Sequence, residues 1–185
     1  GMAAIGDLDL TYKIGLTIAE QLSAIGITQM YSPVSDVNIN PENPEIGVRS
    51  FSDDPEVCAK HVVALLKGLQ DGGIAATAKH FPGRGASATD AHDVLEVIKA
   101  DKKRMQEVEL VPFKAAIDAG VKAIMTGHSI YPAYDATYPT TLSEKILTGL
   151  LRKELGFQGV IVSDAIGMAA ILKKWPLPKA CAMAI

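Results

Sequence analysis

Apolar side chains recur at helical spacing in several stretches of the chain. Residues 8–25 have them four positions apart and predict an amphipathic helix before a glycine stop, with Leu10, Ile14, Ile18, Leu22 and Ile25 ahead of Gly26. Comparable patterns with start and stop residues at their ends predict further helices over residues 55–69, 103–118, 144–155 and 165–172.

Four short apolar segments between these helices predict buried strands. They comprise residues 29–37, 74–80, 121–128 and 159–164. Because a helix follows each strand, at intervals of about 40–45 residues, the segments are expected to form parallel βαβ units. A complete (β/α)8 barrel needs eight strands over about 250 residues. We therefore expect an α/β fold, a partial (β/α)8 TIM-type barrel with about four of eight parallel strands, in which residues 1–185 form a single domain.

Each predicted strand ends in polar residues that could take part in chemistry. In chain order these are Asp36, then Lys79 and His80, then His128, then Ser163 and Asp164. In parallel α/β folds, binding and catalytic groups gather where the carboxyl ends of the strands meet. We therefore expect these side chains to lie at one mouth of the sheet.

The loop after the second strand contains a candidate for acid–base chemistry. Residues 79–92 have the sequence KHFPGRGASATDAH, which places Asp90 two residues before His92. A carboxylate at this spacing can hydrogen-bond an imidazole, fix its tautomer and raise its pKa. His92 is therefore a candidate general acid/base. The spacing equally allows an ordinary solvated loop.

Asp164 follows the apolar run VIVS, where a carboxylate is costly unless it faces a polar cavity. It is therefore a candidate site residue, and the alternative is a helix N-cap for residues 165–172. Lys79 and Arg49 could supply the positive charge that keeps it ionised, although Arg49 could equally be a surface residue. His128 has a structural alternative, as a hydrogen-bonded residue at the mouth.

Metal and phosphate sites are weakly indicated. His80, Asp90 and His92 could in principle ligate a metal, but no tight ligand motif such as HExxH accompanies them. The glycines around Arg84 lack the frame of a phosphate-binding loop. We expect neither a metal nor an organic cofactor.

Composition narrows the classes of partner. The chain has 18 Lys and Arg against 21 Asp and Glu, a net charge of −3 and no basic block, which argue against nucleic acid or an acidic membrane as main partner. Its apolar runs are all shorter than the roughly 20 residues that a membrane span needs. Cys58 and Cys181 lie in apolar helical surroundings that are typical of buried free thiols. Gly1 before Met2 is typical of tag removal, so we expect the native N-terminus to be absent. No signal segment is visible, which favours the cytoplasm.

Taken together, five segments resemble glycoside hydrolase family 3, and more narrowly its β-N-acetylglucosaminidase branch, often called NagZ-like. The segments are Lys79-His80-Phe81-Pro82-Gly83-x-Gly85 with Asp90-x-His92, residues 32–37 (SPVSDV), residues 46–51 (IGVRSF), Met125-Thr126-Gly127-His128 with Tyr131-Pro132, and residues 160–168 (VIVSDAIGM). They agree with the family in order and spacing across essentially the whole chain.

The resemblance implies a retaining glycosidase that removes terminal β-linked N-acetylglucosamine from peptidoglycan fragments or chitin oligosaccharides. Asp164 would be the nucleophile of a covalent glycosyl-enzyme intermediate, and His92 the acid/base, tuned by Asp90. The substrate-binding residues would be Lys79, His80, Arg49, Asp36 and His128. A phosphorylase, with phosphate as the acceptor, is a variant of the same chemistry that the resemblance leaves open.

The chain departs from the family pattern in three places. Strands that precede the first helix in the family, and the last two strands, have no counterpart here, and Arg84 replaces a common histidine. A half-barrel would expose sheet edges and apolar surface, so we expect a homo-oligomer formed through those edges. The alternative is a catalytically incompetent fragment that self-associates. A non-catalytic sugar-binding module is less favoured, because Asp164 and His92 are intact.

Overall fold

The computed structural model describes residues 2–185, and Gly1, the expected tag remnant, lies outside the described residues. Four parallel strands form one sheet in the order β1-β2-β3-β4. Their bounds are Gln29–Met30 for β1, Ala75–Phe81 for β2, Ala123–Thr126 for β3 and Val160–Ser163 for β4. The prediction of an α/β fold with about half the strands of a parallel barrel is confirmed.

Helices connect and cover the strands. The α-helices are α1 (Leu8–Ala24), α2 (Pro55–Asp71), α3 (Lys102–Glu107), α4 (Val111–Asp118), α5 (Ala169–Leu172) and α6 (Leu177–Met183). A π-helix spans Lys145–Glu154, and short 3-10 helices span Met2–Ile5, Gly47–Arg49 and Thr140–Leu142. Asp7 and Asp54 cap α1 and α2 by accepting hydrogen bonds from backbone N–H groups of the first turn.

The main core lies between the sheet and helices α2 and α4. Phe81 of β2 packs edge-on against Phe113 of α4, with ring centroids 5.4 Å apart. Leu66, Leu69 and Ile124 are fully buried in the same cluster. Helices α2 and α4 thus cover one face of the sheet, and this packed core supports the polar residues at the strand ends.

The first predicted strand and the third predicted helix are shorter than expected. The prediction of a strand over 29–37 is wrong beyond Met30, although Val34 makes an isolated bridge to Lys79. Pro33 in this segment has no N–H to donate to a sheet. The helix predicted over 103–118 is two helices, and Pro112 stands in the first turn of the second one. A proline is accommodated at that position but interrupts a continuous helix.

Two further predictions are corrected. Asp164 does not cap a helix over 165–172, because α5 begins only at Ala169 after a turn. Cys58 is buried, as expected, and burial raises the pKa of its thiol to about 12. Cys181 is exposed on α6, so the prediction of a buried thiol is wrong there.

The outer strands of the sheet are open within residues 2–185. Gln29 of β1 is exposed, and Val160 of β4 has 60% of its surface accessible. No helix in the described part of the chain has both the length and the apolar character needed to cross a membrane.

Candidate active site

A buried histidine–carboxylate pair lies where the segment after β1 meets β2. The Nδ1 of His80 lies 2.8 Å from Oδ2 of Asp36, which also accepts the backbone N–H of His80 at 3.1 Å. The other oxygen of Asp36 accepts the backbone N–H of Arg84 at 2.6 Å. Because a carboxylate only accepts, the Nδ1 of His80 carries the proton and its Nε2 is left to face the mouth of the sheet.

The electrostatics of Asp36 follow from these contacts. Burial by itself would raise the pKa of this carboxyl, but the His80 imidazole, the backbone N–H of Arg84 and the Arg84 charge together hold it below its ordinary value. The Asp36 side chain is fully buried behind His80. It therefore orients His80, and its direct contact with a substrate stays a prediction.

Asp164 lies directly after β4 and near this pair. Its Oδ2 is 3.9 Å from Nε2 of His80, and 17% of its side chain is accessible. Its backbone N–H donates to the carbonyl of Thr126 on β3, and its Oδ1 accepts the N–H of Ala165. The sheet thus fixes the backbone of Asp164 beside His80, with part of the carboxylate open.

The Asp90–His92 pair predicted from spacing is present in the loop after β2. The Nδ1 of His92 lies 2.6 Å from Oδ1 of Asp90, which also accepts the backbone N–H of His92 at 2.8 Å. The hydrogen bond to Asp90 is the main cause of a raised pKa for His92, and the charges of Asp90, Glu45 and Asp164 act in the same direction. The His92 side chain is 61% accessible, so the ring is available to a ligand.

Two basic residues lie around Asp164. Lys79 is half-buried, and its pKa is lowered mainly by desolvation and next by the neighbouring Arg49 charge. The charges of Asp164 and Asp36 oppose this decrease. Arg49 is exposed, and one of its guanidinium nitrogens donates to the carbonyl of Glu45 at 3.0 Å. The charges of Lys79 and Arg49 are therefore close enough to interact with each other, and Lys79 also lies within range of the Asp164 and Asp36 carboxylates.

His128 occupies a different environment from the other predicted site residues. It is buried, its Nε2 donates to the carbonyl of Ala165 at 3.1 Å, and its Nδ1 lies 2.8 Å from the hydroxyl of Thr141. Burial lowers its pKa. Both ring nitrogens are already engaged, so the geometry fits the structural alternative, in which His128 holds the segment after Asp164.

Two residues of this region were missed by sequence reasoning. Arg84 is fully buried and its guanidinium forms an ion pair of 3.0 Å with Glu45, whose side chain is 5% accessible. An arginine between two glycines in a loop rich in small residues was the only signal for it. Nothing in the sequence marked Glu45, because its partner is separated from it by helix α2 and strand β2.

The described residues give no support for a metal centre. Within residues 2–185, no three His, Cys, Asp or Glu side chains come together in an arrangement that could hold a metal ion. His80 pairs with Asp36, whereas Asp90 pairs with His92. The available chemistry is that of a partly open carboxylate 3.9 Å from one imidazole–carboxylate pair and within range to raise the pKa of the His92 ring in a second pair, which suits nucleophilic attack coupled to proton transfer.

Comparison with known proteins gives relatives along the whole chain. Residues 1–185 match the family described as glycosyl hydrolase family 3 N terminal domain. The chain is 40% identical over 178 residues to a β-hexosaminidase A of Pseudoalteromonas piscicida and 39% identical over 163 residues to a β-hexosaminidase of Nitrosomonas eutropha. These matches cover 90% and 88% of this chain but only 30% and 46% of the relatives.

Solved structures similar to this chain come from the same family. A glycoside hydrolase family 3 β-N-acetylglucosaminidase from Paenibacillus sp. superimposes with a TM-score of 0.95 at 41% identity, covering 97% of this chain and 34% of that one. Native NagZ from Neisseria gonorrhoeae gives 0.84 at 34% identity, covering 94% of this chain and 50% of that one. The chain therefore spans 30% to 50% of the length of these four relatives, and it belongs to the N-terminal domain family of glycosyl hydrolase family 3.

Proposed function

We propose that this chain carries the catalytic groups of a retaining β-N-acetylhexosaminidase that removes terminal β-linked N-acetylglucosamine. The observation that supports it most is the hydrogen-bonded Asp90–His92 pair, because the partly open Asp164 carboxylate is near enough for its charge to raise the pKa of His92. The relatives named as β-hexosaminidases and the β-N-acetylglucosaminidase structure favour this sugar. The domain would be the central part of the family's (β/α)8 barrel.

The reaction would proceed by two displacements. In the first, an oxygen of Asp164 attacks the anomeric carbon while the protonated His92 gives its Nε2 proton to the leaving oxygen, so that the glycosidic bond breaks and a glycosyl ester forms. In the second, the neutral His92 takes a proton from water as the water oxygen attacks the anomeric carbon and releases Asp164. The Asp90 carboxylate holds the ring in one tautomer and stabilises its charged form.

The remaining polar residues would bind the sugar. His80, with Nδ1 committed to Asp36, would present Nε2 to a hydroxyl group, and Lys79 would donate to another. Arg49 would reach the sugar or its N-acetyl group from the adjoining loop. In this proposal Asp36 acts through His80, and His128 supports the segment that follows Asp164.

The first experiment is nitrophenol release from an aryl β-N-acetylglucosaminide. We expect release by the parent chain, a loss of about a thousandfold or more in Asp164→Asn, and parental rates in the exposed control Asp118→Asn. Mass spectrometry of quenched turnover should find a sugar mass on the peptide that contains Asp164. Equal release by the parent and Asp164→Asn would overturn the assignment of the nucleophile. No release at all would show that the alternative holds, a barrel fragment that is not an enzyme by itself.

We also infer that the open strands β1 and β4 associate with a second copy of the chain. Unpaired edge strands with exposed apolar residues favour pairing with another chain. The partners we expect are therefore a carbohydrate substrate and a second copy of this chain.

A further inference from the structure

The loop between β1 and α2 is joined to the loop that contains His92 by a series of buried and half-buried polar contacts. The backbone N–H of Asn40 donates to the carbonyl of Gly85 at 3.0 Å, and its side-chain amide donates to the carbonyl of Ser87 at 2.8 Å. The amide of Asn43 donates to the carbonyl of Arg84 at 2.8 Å. The first half of the catalytic loop is therefore fixed to the preceding loop through its backbone.

A buried ion pair links the same two loops by their side chains. Nη1 of Arg84 lies 3.0 Å from Oε2 of Glu45, and both side chains are almost inaccessible to solvent. Nη2 of Arg84 donates to the hydroxyl of Ser87 and to the carbonyl of Thr89, both at 3.3 Å. The planar guanidinium of Arg84 thus connects Glu45 to Ser87 and Thr89 in the loop that contains His92.

Glu45 also reaches the residue that separates the two members of the acid–base pair. Its Oε2 accepts the backbone N–H of Ala91 at 3.3 Å, and Ala91 stands between Asp90 and His92. The loop between Arg84 and Ala91 is therefore anchored near both ends by one carboxylate. Because an unpaired charge in this interior is costly, opening the loop requires both partners to be solvated again.

We propose that the Arg84–Glu45 ion pair is a positioning device that holds the Asp90–His92 pair in place over the site. Neither residue contacts the reacting atoms; both act through the backbone of residues 87–91. The consequence for catalysis rests on the proposed function of His92, whereas the anchoring of the loop does not. The device depends on the guanidinium of Arg84, which supplies all three of these contacts.

The test compares Glu45→Gln with Glu42→Gln, an exposed glutamate of the same loop whose side chain makes no hydrogen bond or ion pair with residues 2–185. Hydrogen–deuterium exchange of residues 86–93 should be at least about tenfold faster in Glu45→Gln and unchanged in Glu42→Gln. The pKa of His92, followed by NMR of the imidazole, should fall in Glu45→Gln only. Asp90, Glu45 and Asp164 are the charged groups that act on that ring to raise its pKa, and this variant removes one of them.

In turnover, Glu45→Gln should lower kcat by about tenfold or more with little change in KM, because sugar binding is left intact. Parental exchange and a parental His92 pKa in Glu45→Gln would overturn the proposal. If the parent chain has no activity, the proposed function fails, but exchange and the His92 titration still decide the positioning role.

A second variant separates loss of the ion pair from a general loss of folding. In Glu45→Leu combined with Arg84→Met, both charges are replaced by apolar side chains, a change that buried ion pairs often tolerate. We expect cooperative unfolding to persist together with fast exchange of residues 86–93. Slow exchange in this folded variant would show that backbone contacts alone position the loop and would overturn the proposal.

Discussion

Among single residues, Asp36 has the greatest influence on the shape of the site. It accepts three N–H groups, two from His80 and one from Arg84, while it is fully buried. Without it, these donors would be buried without partners, which costs free energy for each of them. The orientation of His80 toward Asp164 therefore depends on a carboxylate that is not itself exposed.

Replacing Asp36 by Asn should destabilise the chain by about 3 kcal/mol, because it removes one partner of a buried charged network. The pKa of Asp36 is lowered in the folded state, so its stabilising contribution is present above the unfolded pKa and is lost as pH falls through the folded one. Urea unfolding from neutral to acidic pH should show a steeper acid loss in the parent than in Asp36→Asn. The exposed Asp53→Asn is the control, and parallel curves for the parent and Asp36→Asn would contradict the assignment.

His92 should govern the alkaline side of the pH–activity profile. The first displacement needs its protonated form, and the bond to Asp90 raises its pKa, so activity should decline only as pH rises through this raised value. Asp90→Asn removes the main cause of the raised His92 pKa. We therefore expect the alkaline limb of the profile to move to lower pH and kcat to fall by about tenfold or more. The exposed Asp93→Asn serves as the comparison. An unmoved alkaline limb in Asp90→Asn would assign the proton donor to another residue.

At the scale of elements, the sequence predicts best where one local signal decides the structure. Helix α1 follows from its apolar spacing, and helix α2 follows from Pro55 in its first turn and the glycines after it; both helices are confirmed. Strand β1 was overestimated, because the regular strand ends at Met30 and Pro33 has no N–H to donate, although residues 32–35 still exchange backbone hydrogen bonds with β2. Likewise Pro112 divides the helix predicted over 103–118.

In the site, too, the sequence predicts local contacts but not long-range ones. Asp90 and His92 could be paired from the sequence because they are two residues apart. By contrast, the pairing of Asp36 with His80 and of Glu45 with Arg84 joins residues about forty positions apart. Such contacts are set by how the β1 and β2 loops dock, and no local pattern encodes them. The strand-end rule predicted that these polar residues gather at the mouth, but it did not distinguish buried Asp36 from partly open Asp164.

The contact between helices α1 and α2 requires two glycines. A Cβ on Gly15 would lie 2.7 Å from the carbonyl oxygen of Leu65, and one on Gly68 would collide with the carbonyl of Tyr12. Gly68→Ala should therefore force the helices apart and destabilise the chain by about 1–3 kcal/mol. Gly149→Ala, in the 145–154 helix with open space around it, should stabilise by about 0.5–1 kcal/mol instead. Thermal unfolding of both variants measures the difference, and equal shifts would refute close helix packing.

For the whole molecule, the site and the open edges lie on one four-stranded sheet. The strand ends place Asp164 and His80 together, and helices α2 and α4 cover one side. The outer strands β1 and β4 remain unpaired within residues 2–185. A parallel barrel is closed only when each strand has two neighbours, so the edge groups need partners that the described chain does not supply.

Pairing with a second copy should therefore be measurable and sensitive to β4. We expect light scattering after size exclusion to give about twice the monomer mass of 19.6 kDa. Val160→Lys places a charge on the exposed strand, as natural edge strands do, and should weaken association by about tenfold or more. Val57→Lys, on the surface of α2, is a matched substitution that should leave the mass unchanged. A monomeric parent at every concentration, or equal behaviour of the two lysine variants, would contradict association through this edge. If nitrophenol release also falls with dilution in Val160→Lys but not in Val57→Lys, the second copy is needed to complete the site.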